Sequence, residues 1–123
     1  MENKSALLKK SMTESGVLRL TLNNESQRNT LSQAMLREIS TALLDAESDK
    51  GVRVIVIAAT GPAFCAGHDL KEITLARGED QEGELYFKKL FDQCSLLMQF
   101  IVNCPKPIIA EISGTATAAG CQL

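Results

Sequence analysis

The chain carries little excess charge of either sign. Its 13 basic and 15 acidic side chains leave a formal net charge of −2 over 123 residues. The basic surplus typical of a nucleic-acid binder is missing, so no nucleic-acid partner is expected. No unbroken apolar run is long enough to cross a bilayer, so no membrane span is expected. The opening "MENKSALLKK" has only three consecutive apolar residues between polar flanks, too few for a secretory signal. Glu2 also argues against a transit peptide, and the compartment expected from these features is the cytoplasm.

Potential metal ligands are just as sparse. His68 is the only histidine, and Cys65, Cys94, Cys104 and Cys121 are widely and irregularly spaced with no C-x-x-C pair. Zinc sites need closer ligand pairs, so no metal is expected, and the cysteines read as small, mostly buried thiols. No glycine loop runs into G-K-[ST], and there is no G-x-S-x-G nucleophile elbow.

What remains is an ordinary globular composition, 45% hydrophobic, at a length that fits one domain. "ALLKKSM" and "VLRLTLN" read as a hairpin around "TESG", the second with Leu18, Leu20 and Leu22 on one face. "NNESQRN" reads as a loop. Thr30 to Gln33 fits a capping box for a helix over about 32–48, whose apolar face is Met35, Ile39, Leu43 and Ala46. "VRVIVIAAT" reads as a strand buried on both faces. In "GPAFCAGHDLKE", Asp69 is a helix cap with Glu72 three residues on, whereas "LARGEDQEGE" reads as a mobile loop. A second amphipathic helix spans about 84–102 and is stopped by "CPKP", after which "IIAEIS" is a short strand. Strands alternating with helices predict an α/β architecture.

Two segments share one design. Each runs from a strand through a loop of small residues into a helix start, near Asp69 in one case and near Ala119 in the other. Helix starts have backbone N–H groups without intrahelical partners, at the positive end of the helix dipole. Two of them facing one point would hold a negative oxygen.

The same segments carry a resemblance. "GPAFCAGHDLKE" resembles the G-x-x-F-[CS]-A-G-x-D-L-x-E signature of the enoyl-CoA hydratase/isomerase (crotonase) family. "CPKPIIAEISGTATAAGCQL" resembles its second signature, K-P-[IV]-[IV]-A followed by N-G-x-x-x-G-G-G-x-E-L, and "RNTL" resembles the R-N-A-L that opens the first helix. The run "ATAAGCQL" is similar to a divergent branch of that family.

The resemblance covers the whole chain but only the front part of the family's domain. It implies a truncated crotonase-like spiral of β-β-α units, with residues 1–123 as the N-terminal part of one acyl-CoA-binding domain. It also implies an acyl-CoA thioester as partner, lyase or isomerase chemistry in fatty acid metabolism, and a full-length homotrimer or hexamer. No cofactor is implied, because coenzyme A is part of the substrate. By motif position, the oxyanion hole falls on the amides of His68 and Ala119. The substrate-binding set comprises Arg28, Ala66, Gly67, His68, Asp69, Leu70, Lys71 and Ala119. The backbone amide of His68, not its imidazole, carries the implied role.

Three departures bear on chemistry. Gln122 stands where the family's hydratases place their first catalytic glutamate, and an amide cannot exchange a proton near neutral pH. Ala118 and Ala119 replace two usual glycines, and alanine resists positive φ. The family's second glutamate falls beyond Leu123. Three readings follow: an acyl-CoA hydratase, isomerase or thioester hydrolase; an acyl-CoA binder with little or no hydratase activity; and a structural or regulatory module. The retained "FCAGHDLKE" argues against the last. Because Leu123 falls where a helix is just starting, residues 1–123 alone are expected to be marginally stable or aggregation-prone.

Overall fold

The computed structural model describes residues 6–77 and 81–123. Strands β1 (Leu8–Met12) and β2 (Val17–Leu22) form an antiparallel hairpin in which Leu8 pairs with Leu22 and Met12 with Leu18. Leu20 and Leu22 are buried, as the alternation predicts. Helix α1 (Gln33–Ser48) follows and buries Met35, Leu36, Ile39, Ala42, Leu43 and Ala46. Its cap is Ser32, whose hydroxyl accepts from the Met35 N–H at 3.1 Å. The expected box starting at Thr30 is therefore displaced by two residues, because Ser32 is the last residue with extended backbone before the helix. Lys106 closes the other end of α1, donating to the carbonyls of Ala46 (2.7 Å) and Asp49 (2.6 Å).

Strand β3 (Val54–Ala59) runs parallel to β2 and to β5 (Ile108–Ala110), giving a four-stranded sheet in the order β1-β2-β3-β5. One face of β3 is buried through Ile55 and Ile57, but Val54 and Val56 on the other are only half-buried. The expectation of burial on both faces holds at Ile55 and Ile57 on one face and, on the other, only at Ala58.

Two strands were hidden in the glycine-containing segments. β4 (Ala63–Cys65) and β6 (Thr115–Ala116) pair in parallel as a second small sheet. At three and two residues they are too short to show a period of two. They give the chain its repeat: β1-β2-α1, then β3-β4 followed by α2 (Leu70–Arg77) and α3 (Gln81–Asn103), then β5-β6 and α4 (Ala119–Gln122). The "LARGEDQEGE" segment is mostly helical, ending α2 and opening α3, while residues 78–80 lie outside the described residues. The core lies between the main sheet, α1 and the Leu90, Cys94 and Leu97 face of α3.

Candidate functional site

The β4–β6 pair sets the geometry of the site. The Thr117 N–H donates to the Cys65 carbonyl at 3.0 Å, so the two strands end side by side. Beyond β4 the chain turns at Gly67 (φ +89°), and beyond β6 it turns at Ala118 (φ 50°, ψ −127°). A Cβ at Gly67 would stand 3.0 Å from the Ala118 Cβ and 3.5 Å from the Ala119 nitrogen. One at Gly120 would run into the Cys65 carbonyl, so the α4 backbone lies directly on β4. Ala118 takes up the positive φ that alanine resists, which is a strained arrangement.

The loop before α1 closes onto the same turn. After a 3-10 turn at Glu25–Gln27, Arg28 and Asn29 both adopt left-handed backbone (φ 53° and 54°). Asn29 is fully buried. Its Oδ1 accepts from the Asn24 N–H at 2.7 Å, and its Nδ2 donates to the carbonyls of Thr60 (2.9 Å) and Ala63 (3.0 Å). The Ala66 N–H donates to the Arg28 carbonyl at 3.1 Å, and the Leu31 N–H to that of Gly67 at 2.6 Å. Among the described residues, neither the His68 N–H nor the Ala119 N–H has a backbone acceptor.

The result is a cleft of about 300 Å³ lined by Ser26, Gln27, Arg28, Thr30, Ala66, His68, Asp69, Leu70 and Lys71. It gathers six of the residues singled out in the sequence. Gly67 and Ala119 are buried behind it. Gln122 follows in the single turn of α4, and its side chain lies outside the described residues. Ser26, Gln27 and Thr30 were missed because a polar loop before a helix has no spacing that marks it as a wall. Among the described residues no three His, Cys, Asp or Glu side chains gather as a metal site, and no helix is long and apolar enough to cross a membrane.

Asp69 caps α2, its Oδ1 accepting from the N–H groups of Lys71 (3.0 Å) and Glu72 (3.2 Å). Glu72 does not complete a local box. Its Oε1 accepts from the Gln33 N–H at the start of α1 (3.2 Å) and from the Tyr86 hydroxyl on α3 (2.6 Å). Burial first, and then the Glu72 carboxylate, push the Tyr86 hydroxyl well above its ordinary range, so it stays a donor. The His68 ring meets the Phe91 ring at 5.6 Å between centroids, inclined at 74°. His68 Nδ1 and Thr30 Oγ1 are buried without a hydrogen-bond partner among the described residues. All four cysteines are free thiols, and burial raises the pKa of Cys65 and Cys94. Cys104 is half-buried and Cys121 is exposed, so only two of the four are the buried thiols expected.

Residues 12–123 match the family model described as Enoyl-CoA hydratase/isomerase. Over 110 residues the chain is 44% identical to enoyl-CoA hydratase domain-containing protein 3, mitochondrial, of Rattus norvegicus, covering 89% of this chain and 35% of that protein. The crystal structure of the human enoyl coenzyme A hydratase domain-containing protein 3 superposes with a TM-score of 0.86 at 39% identity, covering 96% of this chain and 44% of that one. The enoyl-CoA hydratase structure from Mycobacterium smegmatis gives 0.87 at 47% identity, with the same coverage of 96% and 44%. The chain thus spans about a third of the length of the rat relative. The cytoplasmic expectation is overturned, because the domain-containing protein 3 relatives are named as mitochondrial. Compartment is set by targeting segments and not by the folded core, so the composition of this domain carries no information about it.

Proposed function

Because the chain belongs to the enoyl-CoA hydratase/isomerase family, we propose that it binds an acyl-CoA thioester and polarises its carbonyl between the amides of His68 and Ala119. The observation that carries this reading is the contact of Gly67 with Ala118 and Ala119, which brings the two N–H groups, both without backbone acceptors among the described residues, into one neighbourhood. A thioester carbonyl gains negative charge on oxygen as it moves toward an enolate. Preorganised donors meet that charge without reorganising, each lowering the barrier by about 3–4 kcal/mol.

The cleft supplies the rest of the ligand's needs. Arg28 and Lys71 are exposed at its rim, two cations suited to phosphate groups. Ala66 and Leu70 offer apolar surface to the arm of the coenzyme, and a groove over Leu70, Thr74 and Leu75 adjoins the cleft. Coenzyme A enters and leaves as part of the substrate. The mitochondrial relatives point to the same compartment for this protein.

Calorimetric titration of the full-length protein with octanoyl-CoA, and with its S-octyl thioether lacking the carbonyl, tests both halves of the proposal. The thioester is expected to bind more tightly. Absence of binding by either ligand would remove the acyl-CoA reading. Equal affinities would remove the oxyanion hole.

A further inference from the structure

We infer that α3 is the positioning element for the His68 amide, holding residues 68–72 at both ends through Phe91 and Tyr86. The inference rests on the reading above, in which that amide polarises a thioester carbonyl.

Of the aromatic residues of α3, Tyr86 and Phe100 pack against the edge of the core, whereas Phe87 and Phe91 are not part of it. The core contribution of α3 is Leu90, Cys94 and Leu97, whereas Phe91 is 51% exposed and Tyr86 is half-buried. Phe91 and Tyr86 both reach the segment that opens α2. Phe91 meets the His68 ring edge-on at 5.6 Å, and Phe87 stacks on Phe91 at 6.2 Å with rings 15° from parallel. Tyr86 packs on Phe87 at 5.4 Å and donates its hydroxyl to Glu72 Oε1 at 2.6 Å.

The same Glu72 oxygen accepts from the Gln33 N–H, so one carboxylate ties the first turn of α2 to both α1 and α3. Between the two grips, Asp69 caps the helix that Glu72 belongs to. On the opposite side, the Leu31–His68 bridge holds the strand-like backbone. Reorienting the amide between Gly67 and His68 would require these contacts to shift together. Such fixing matters because an oxyanion donor works only when aimed to within a few tenths of an ångström.

The experiment compares octanoyl-CoA with S-octyl-CoA in the full-length protein and in its Tyr86→Phe and Phe91→Leu variants. Both substitutions affect half-buried or exposed groups, and thermal melts verify that each variant folds. The expected result is loss of the preference for the carbonyl-bearing ligand, its affinity ratio moving toward unity, while affinity for free coenzyme A stays at the wild-type value. Glu72→Gln keeps an acceptor for both donors and is expected to retain more of the preference than Glu72→Ala. A wild-type ratio in both Tyr86→Phe and Phe91→Leu, with only a lowered melting temperature, would overturn the inference and leave the oxyanion reading standing. A ratio of one in the wild type would overturn that reading, and the inference with it.

Discussion

Gly67 and Ala118 approach so closely that a Cβ on the first would stand 3.0 Å from the Cβ of the second. Both have positive φ, one with the residue suited to it and one without. Gly67→Ala is expected to destabilise the protein by roughly 2 kcal/mol through backbone strain and overlap. Ala118→Gly is expected to stabilise it by about 1 kcal/mol through relief of strain. The double variant should recover part of the Gly67→Ala loss beyond simple addition, because the overlapping methyl is gone. Urea unfolding of all four proteins measures this, and strict additivity would show that the two positions are not in contact.

Asn29 is fully buried and joins the loop before α1 to the turn between β3 and β4 through two hydrogen bonds from its Nδ2, while its Oδ1 accepts a third from Asn24 within the loop. Asn29→Ala is expected to cost about 3 kcal/mol, because the Asn24 N–H and two carbonyls lose their partner. The same variant should weaken acyl-CoA binding, since Arg28 and Thr30 flank it in the cleft. A loss of under half of that stability would argue that water replaces the amide.

Tyr86 supports a pH-dependent test. Its folded pKa lies above the ordinary value of 10.0, raised by burial and by the Glu72 carboxylate. A raised pKa contributes stability that is fully present below the unfolded pKa and is lost as pH climbs through the folded one. The stability difference between wild type and Tyr86→Phe should therefore hold steady, at about 1 kcal/mol, from neutral pH up to roughly 10, and shrink above it. A difference that grows above that pH would contradict a donating hydroxyl.

Gln122 sets the expectation for hydration chemistry. An amide can hydrogen-bond water but cannot carry a proton to or from it. Crotonyl-CoA hydration by the full-length wild type is expected to be negligible, and Gln122→Glu is expected to raise it. Wild-type turnover unchanged by the substitution would show that position 122 does not participate.

The thiols give a direct test of packing. Cys121 is exposed, whereas Cys65 and Cys94 are buried with raised pKa values. Iodoacetamide at neutral pH should modify Cys121 first, and mass spectrometry should find Cys65 and Cys94 unmodified until denaturant is added. Early labelling of Cys65 would mean that β4 is not held against α4.

The sequence by itself determined what is periodic and what is punctuated. The strand at β2, the apolar face of α1, the β-branched run of β3 and the cap at Asp69 are all local patterns, and each formed as an element, although β3 is not fully buried on both faces. Family kinship was legible for the same reason, since both signatures are contiguous. Contacts between distant segments decided the rest. Strands of two or three residues exist only because β4 and β6 find each other across about fifty residues. Glu72, legible as half of a local capping box, instead serves Gln33 and Tyr86 on other helices. Ala118 holds a conformation that its own preferences oppose, because the Thr117–Cys65 bond and the close approach of Gly120 to β4 leave no other path. Propensity acts over a few bonds, whereas the placement of the His68 and Ala119 amides depends on two strand ends meeting in space, which only the folded chain provides.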